Sequence, residues 1–282
     1  MNVIGIDLGG TNIRGAVVDN SVLADVQSVR VSSSGTEDEV LQELFHLVDQ
    51  LVNNDTTAIG IGVPSVVDIE KGIVYDVQNI PSWKEVHLKK HIEEEYHLPV
   101  LINNDANCFA LGEKYFGQGK NYHSFIGLTI GTGIGAGIIV NDKLYAGANC
   151  GAGEFGMVNY LDKYFEYYAS GQFFKNVYQA DGEKVFEQAE KGGKAAIKMF
   201  EEFGTHLGNA VKMILYTYDP EIIIFGGSVK DAYSFYKDAM WEEIKDYAYP
   251  KSLEKFQIKI SDLKNSGVLG AAALCYNEKP SD

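Results

Sequence analysis

One glycine-centred unit occurs twice in the chain, and this repeat constrains the fold more than any other feature of the sequence. Four pairs of residues align at one constant offset: Ile4 with Ile126, Gly9 with Gly131, Gly15 with Gly137 and Val18 with Val140. Each copy predicts an apolar strand, a tight glycine turn and a second strand. We therefore expect two similar α/β domains that face each other across a cleft, although two unrelated hairpins with glycine turns could also align in this way.

A second informative segment is Asn103–Asn107, which separates a predicted strand from a predicted helix. A proline and a short apolar run at residues 98–102 indicate a buried strand, and residues 108–115 are typical of a helix. Ligands of open α/β sheets bind at the carboxyl ends of the strands, so Asp105 is a candidate general base. The alternative is that Asp105 only caps the helix, because aspartate is a favoured N-cap residue.

Further elements follow from local patterns. Val22 to Val31 is expected to form one strand that completes an N-terminal antiparallel meander. Thr36 and Glu39 have the spacing of a capping box, which predicts that a helix begins directly after Thr36. Apolar runs at residues 58–63 and 222–225 predict buried strands.

Composition narrows the classes of partner. The chain has 282 residues, enough for one large or two ordinary domains, and 24 Lys and Arg against 39 Asp and Glu give a net charge of −15. Such an acidic surface argues against nucleic acid and membrane surfaces as partners. The N-terminus lacks signal-peptide features and no apolar run reaches membrane-spanning length, so we expect a cytoplasmic protein. Three widely spaced cysteines without C-x-x-C spacing predict free thiols.

The first glycine turn is a candidate phosphate site. At Gly9-Gly10-Thr11, backbone N–H groups and a hydroxyl can approach phosphate oxygens closely, because glycine carries no side chain to block them. Asp7 lies at the end of the preceding strand and could hold a hydrated Mg²⁺, a cation that favours carboxylate and water ligands. The alternative for Asp7 is a carboxylate that only stabilises the turn.

The second glycine turn permits two interpretations. Residues 131–136 form a second candidate phosphate turn and also match the G-x-G-x-x-A form of a dinucleotide fingerprint. That fingerprint requires a helix directly after it, whereas residues 137–140 predict a strand. A nicotinamide-dependent oxidoreductase is therefore a rival hypothesis that the sequence disfavours.

A lone carboxylate stands in the glycine-rich, nearly uncharged run at residues 147–156. Loops usually carry charge for solubility, so Glu154 among small residues favours binding of a pair of polyol hydroxyls. A solvated loop glutamate is the alternative.

Taken together, the motifs resemble those of the ROK sugar kinases (repressor, open reading frame, kinase), within the actin-like ATPase superfamily. Six segments match family motifs in order and spacing: Asp7–Thr11, Asn103–Asn107, Gly131–Gly135, Glu154–Gly156, Ile223–Gly227 and Gly267–Ala272. The resemblance implies a two-domain α/β fold of the actin-like ATPase (ribonuclease H-like) type with an interdomain cleft. The expected smaller domain is 1–116 plus a C-terminal helix at 267–282, and the larger domain is 117–266.

The same resemblance implies ATP-dependent phosphorylation of a glucose-like hexose at its 6-hydroxyl, with Asp105 as general base and Mg²⁺ as cofactor. The implied sugar contacts are Asn104, Glu154, Glu166, Ser65, Asn79 and Met157. The implied nucleotide contacts are Asp7, Gly9, Gly10, Thr11, Asn12, Gly131, Thr132, Gly133, Gly226 and Gly227, with Asp7 also holding Mg²⁺ through water. The alternatives are an N-acetylmannosamine or N-acetylglucosamine kinase and a non-catalytic sugar-sensing regulator. The family also suggests a homodimer.

Two departures from the family pattern affect these expectations. Met157 stands where the family has a histidine, and residues 158–164 lack the cysteines of the usual zinc cluster, so we expect a zinc-free protein with a shortened loop. Ser65 replaces the usual glycine near the sugar's second carbon. The first phosphate motif lies close to the start of the sequence, so we expect no N-terminal winged helix and no direct DNA binding.

Overall fold

The computed structural model describes residues 1–77 and 79–277 as an α/β protein built from two compact units. The first unit comprises residues 1–121, 137–152 and the described residues from Asp262 onward, and the second comprises 122–136 and 153–261. The boundaries expected from the sequence, 1–116 with 267–282 and 117–266, stay a prediction. Residues 278–282 of that expected C-terminal helix lie outside the described part of the chain.

The elements are numbered in chain order. The strands are β1 (Asn2–Leu8), β2 (Asn12–Asp19), β3 (Val22–Leu23), β4 (Gln27–Arg30), β5 (Ala58–Val63), β6 (Val66–Asp68), β7 (Ile73–Tyr75), β8 (Glu85–Val86), β9 (Val100–Asn104), β10 (Phe125–Ile130), β11 (Ile134–Val140), β12 (Lys143–Leu144), β13 (Asn159–Tyr160), β14 (Lys163–Tyr164), β15 (Ile222–Gly226) and β16 (Gln257–Ile260). The α-helices are α1 (Glu37–Leu51), α2 (Leu88–Tyr96), α3 (Asp105–Tyr115), α4 (Phe165–Ala169), α5 (Gln172–Tyr178), α6 (Gly182–Glu190), α7 (Lys194–Tyr218), α8 (Tyr233–Ile244), α9 (Pro250–Leu253) and α10 (Ser266–Asn277).

The main sheet of the first unit has the order β3-β2-β1-β5-β9, with β4 also paired to β2. Strands β1, β5 and β9 run parallel, and their registers align Asp7 with Gly62 and Gly62 with Asn103. Neighbouring strands are about 4.8 Å apart, so Asp7 and Asn103 lie roughly 10 Å apart at one edge of the sheet. This edge holds the carboxyl ends of all three parallel strands.

The expectation of one strand from Val22 to Val31 was wrong. The structure has two short strands, β3 and β4, which both pair with β2. On β2, Val18 pairs with Leu23 and Gly15 pairs with Gln27. These two positions are three residues apart on β2, but their partners are four residues apart. One extra residue therefore forms a bulge, a feature that bends the strand and interrupts its ladder.

The predicted capping box is confirmed at the start of α1. The Glu39 N–H donates to the Thr36 hydroxyl at 3.3 Å, and the Thr36 N–H donates to the Glu39 carboxylate at 2.7 Å. One face of α1 is buried in the core of the first unit: Val40, Leu41, Leu44, Leu47, Val48 and Leu51.

Helix α10 packs directly on the backbone of this sheet. A side chain added at Gly5 would come within 2.2 Å of the Val268 carbonyl oxygen, and one added at Gly60 within 2.0 Å of the Ala271 carbonyl oxygen. The two glycines therefore allow helix and strands to approach more closely than any other residue would permit. This contact places the start of α10 beside the end of β1.

In the second unit, β10, β15 and β16 are parallel neighbours. Strand β15 is buried over its whole length, as the apolar run at 222–225 predicted. The long helix α7 buries an apolar face that includes Phe200, Phe203 and Leu207. No helix among the described residues is both long and apolar enough to span a bilayer.

Candidate active site

The residues predicted to carry the chemistry belong to both units. Asp105 is the first residue of α3 and is exposed at the end of β9. Asn104, not Asp105, is the N-cap residue, because its side-chain oxygen accepts the Ala106 N–H at 2.9 Å. One Asp105 oxygen accepts the same N–H at 2.8 Å. The carboxylate thus lies at the positive end of the helix dipole, where negative charge is stabilised.

The Asn104 side chain connects this helix start to the segment after β5. Its amide Nδ2 donates to the Ser65 carbonyl oxygen at 3.3 Å. The Ser65 hydroxyl in turn donates to the Tyr75 carbonyl oxygen on β7. The structure therefore brings together two predicted sugar contacts, Ser65 and Asn104, and the predicted general base Asp105.

Next to these strand ends, Asp7 lies against the first turn of α10. Its carboxylate occupies the space that a side chain at Gly267 would need. A Cβ atom added to Gly267 would lie only 2.4 Å from Oδ2 of Asp7. Burial raises the pKa of Asp7, and the positive charge of Arg14 on β2 partly offsets the rise. A single half-buried carboxylate suits Mg²⁺, which keeps several waters and takes its remaining ligands from substrate phosphates.

The first glycine turn closes through a hydrogen bond from the Gly9 N–H to the Asn12 carbonyl oxygen at 3.0 Å. The exposed Asn79 packs against Gly10, in the space a side chain there would need. Asn79, predicted as a sugar contact, therefore lies beside the predicted phosphate turn.

In the second unit, the turn at residues 131–133 is held by the segment that joins α4 to α5. The Gly171 N–H donates to the Gly131 carbonyl oxygen at 2.7 Å, and the Ser170 hydroxyl donates to the Thr132 carbonyl oxygen at 2.9 Å. Ser170 is fully buried. No sequence pattern marks Ser170 as a support of this turn, because it lies 38 residues away along the chain.

Glu166 closes over the same turn. Its Oε2 accepts the Ile134 N–H at 2.9 Å, and its Oε1 accepts the Gln172 side-chain amide at 3.5 Å. A side chain at Gly133 would collide with this carboxylate, at 2.5 Å from Oε2. Glu166, predicted as a sugar contact, thus also fixes the shape of the predicted phosphate turn.

The second carboxylate predicted to contact the sugar, Glu154, precedes a short 3₁₀ turn at Phe155–Met157. Partial desolvation raises the pKa of Glu154, and repulsion from Glu166 raises it further, although the side chain is exposed. A side chain added at Gly156, two residues after Glu154, would lie 3.3 Å from Cβ of Glu166, so the two carboxylates belong to neighbouring segments. Met157 is 52% exposed.

After Met157 the chain forms a tight hairpin instead of a long loop. Strands β13 and β14 pair Asn159 with Tyr164, which leaves a short turn at the tip. Tyr160 stacks on Phe165 at 4.4 Å, and its hydroxyl lies 3.2 Å from Nδ1 of His206 on α7. Aromatic packing thus holds this segment. Among residues 1–77 and 79–277, no three His, Cys, Asp or Glu side chains are grouped to hold a metal ion.

The remaining nucleotide candidates lie at the end of β15. The parallel register aligns Thr129 with Gly226, so the turn after β10 and the segment after β15 lie side by side. Gly227 has φ +79°, a left-handed conformation that favours glycine. A side chain added to Gly227 would come within 2.3 Å of the Ile130 carbonyl oxygen. The structure continues from Gly133 into strand β11, not into a helix, so the requirement of the dinucleotide fingerprint is not met.

These observations define the class of the protein, an α/β chain of the actin-like ATPase type with two glycine turns and an acidic residue at a strand-to-helix junction. The chain belongs to the ROK family, whose model matches residues 3–278. It is 28% identical over 307 residues to the glucokinase of Thermotoga maritima, with 97% of each chain covered. The xylose repressor of Bacillus spizizenii is 30% identical over 294 residues, covering 96% of this chain and 76% of the repressor.

A solved structure confirms the fold. The ROK family glucokinase from Streptomyces griseus, in complex with glucose and AMPPNP, superposes with a TM-score of 0.81 at 27% identity. The match covers 97% of this chain and 99% of that one. The relatives support a sugar kinase, while the repressor shows that the family also includes regulators.

Proposed function

We propose that this chain transfers the γ-phosphoryl group of ATP to the 6-hydroxyl of a glucose-like hexose, with Asp105 as general base. The observation that carries the proposal is the position of Asp105. Its carboxylate is exposed at the end of a parallel strand and at the start of a helix, while the neighbouring Asn104 performs the capping. A carboxylate in this position can accept the proton of a bound hydroxyl.

The surrounding residues supply the other requirements of phosphoryl transfer, which depends on positioning and charge stabilisation. Asp7 would hold Mg²⁺ through water, and the ion would neutralise charge on the transferred phosphate. The backbone N–H groups of the two glycine turns would bind phosphate oxygens. Asn104, Glu154 and Glu166 would bind sugar hydroxyls, with Ser65, Asn79 and Met157 as further contacts.

The relatives agree with this assignment at the level of the class. The Thermotoga maritima protein is a glucokinase, and the Streptomyces griseus glucokinase was solved with glucose and an ATP analogue. Ser65 and Met157 depart from the usual family residues, so an N-acetylated hexosamine is the alternative substrate to include in a test.

A sugar-sensing regulator without turnover is the second candidate. It is favoured by the 30% identity to a xylose repressor over nearly the whole of this chain. Such a protein would bind sugar through the same side chains but would not need Asp105 as a base.

The decisive experiment measures ADP release from Mg-ATP by the purified chain with glucose, mannose, fructose, N-acetylglucosamine and N-acetylmannosamine. Turnover on one sugar should fall by at least ~10²-fold in Asp105→Asn, because the isosteric amide cannot accept the proton. Asp38→Asn is the matched control, since Asp38 is also an exposed aspartate in the first turn of a helix.

Equal loss in both variants would show that Asp105 has no special role. Binding of a sugar without any ADP release would refute the kinase and favour the regulator. Turnover on an N-acetylated hexosamine alone would support the kinase reaction but would show that the substrate is not a glucose-like hexose.

A further inference from the structure

The glycine-rich loop that leads to Glu154 has one interior anchor within the first unit. Cys150 is only 5% exposed, whereas the other residues of the segment 147–152 are half-buried or exposed. Its backbone has φ +56°, which is unusual for a residue with a side chain. A specific contact must therefore hold the thiol inside the unit.

The thiol forms hydrogen bonds with two buried amide side chains, Asn103 and Asn107. The Cys150 thiol donates to the Asn103 side-chain oxygen at 3.3 Å, and the Asn107 amide donates to the same oxygen at 2.9 Å. The Asn107 amide also lies 3.6 Å from the Cys150 sulfur. Asn103 is 4% exposed and Asn107 is 1% exposed, so all three side chains are shielded from water.

The Asn103 oxygen has a third donor, the backbone N–H of Asn104 at 2.8 Å. One buried carbonyl group thus contacts both the residue before Asp105 and the residue two positions after it. Fixing both neighbours restricts the direction in which the Asp105 carboxylate points.

We propose that Cys150 and Asn103 are positioning residues of the active site, forming a buried clamp that aligns Asp105 with the substrate hydroxyl. This inference rests on the proposed kinase function. Without the thiol, the buried Asn103 and Asn107 amides lose a partner and can turn, and the start of α3 loosens with them. The Asn103 oxygen keeps its bonds from Asn107 and Asn104, so the expected result is a less tightly fixed pair of amides on either side of Asp105.

The chemistry of the clamp distinguishes it from ordinary packing. Cys275 is a buried cysteine of similar exposure, 6%, and it packs in an apolar cluster with Val3, Val18 and Leu269. Cys150 also borders the apolar core of the first unit, but its sulfur contacts two amide side chains as well. Removal of either thiol leaves a similar small cavity, but only removal of the Cys150 thiol breaks the clamp.

The test compares Cys150→Ala, Cys150→Ser and Cys275→Ala in the full chain by two measurements. The first is steady-state kinetics with Mg-ATP and the best sugar of the panel. Cys150→Ala should lower kcat by roughly 10-fold or more, since a misplacement of about 1 Å costs up to ~10²-fold, while the KM for ATP stays within about twofold. Cys150→Ser keeps a donor and an acceptor and should restore most of kcat.

The second measurement is hydrogen–deuterium exchange of the peptide covering residues 103–108, and it needs no turnover. Exchange should be faster in Cys150→Ala than in wild type and in Cys275→Ala, and near wild type in Cys150→Ser.

The outcomes separate this inference from the proposed function. If wild type turns over no sugar, the kinase is refuted, and unchanged exchange in Cys150→Ala would still overturn the clamp. If wild type is active and Cys150→Ala matches Cys275→Ala in both kcat and exchange, the thiol only fills space. A Cys150→Ser variant as impaired as Cys150→Ala would also refute the hydrogen-bonding role.

Discussion

Substituting Gly60 by alanine should destabilise the first unit through a single backbone collision. Gly60 lies in β5 under helix α10, and an added methyl group would sit 2.0 Å from the Ala271 carbonyl oxygen and 2.8 Å from its carbon. Ordinary contacts between such atoms are about 3.5 Å or longer. The helix would have to move by more than an ångström, because the obstacle is backbone and cannot rotate away.

The expected cost follows from this displacement. Overpacking of a close-packed core costs about 1–3 kcal/mol, and a rigid obstacle places Gly60→Ala near the upper end. For a domain of about 150–250 residues each kcal/mol lowers Tm by about 2–4 °C, so a cost of about 2–3 kcal/mol corresponds to a fall of roughly 4–12 °C.

Differential scanning calorimetry or a circular dichroism melt can measure this shift. Gly151→Ala is the matched control, because nothing lies within 4 Å of a side chain added there. That variant should melt within about 1 °C of wild type. A Gly60→Ala variant that melts together with Gly151→Ala would refute the close approach of α10 to the sheet.

Three further predictions concern individual side chains. Thr36→Ala removes the N-cap of α1 and should cost about 1 kcal/mol in urea unfolding, with Ser33→Ala, an exposed position outside any helix, as a control. Burial lowers the pKa of His206 in the folded chain, so the unfolded chain binds a proton at this residue more readily. The free energy of unfolding should therefore fall as the pH drops below about 6.5, the usual pKa of histidine. The His206→Gln variant should show a weaker dependence of stability on pH. Ser170→Ala removes the bond to the Thr132 carbonyl oxygen and should raise the KM for ATP several-fold, whereas an unchanged KM would contradict its supporting role.

Local patterns in the sequence determined several features directly. The capping box at Thr36 and Glu39 fixed the start of α1, since both partners lie within one helical turn. The uninterrupted apolar run at 222–225 predicted a strand buried on both faces. The junction at Asp105 was visible because the apolar strand pattern ends at Ile102 and a helical pattern begins a few residues later. In each case the interaction is decided by neighbouring residues.

The tertiary structure decided what depends on residues far apart in the chain. The bulge between β3 and β4 arises from pairing with β2, and no local pattern distinguishes it from one continuous strand. The contact of Glu166 with the Ile134 N–H joins residues 32 positions apart, and that of Cys150 with Asn103 joins residues 47 apart. Such contacts form only when the packed core brings distant segments together. The amino acid sequence therefore shows which chemical groups are present, and the tertiary structure determines which of them are in contact.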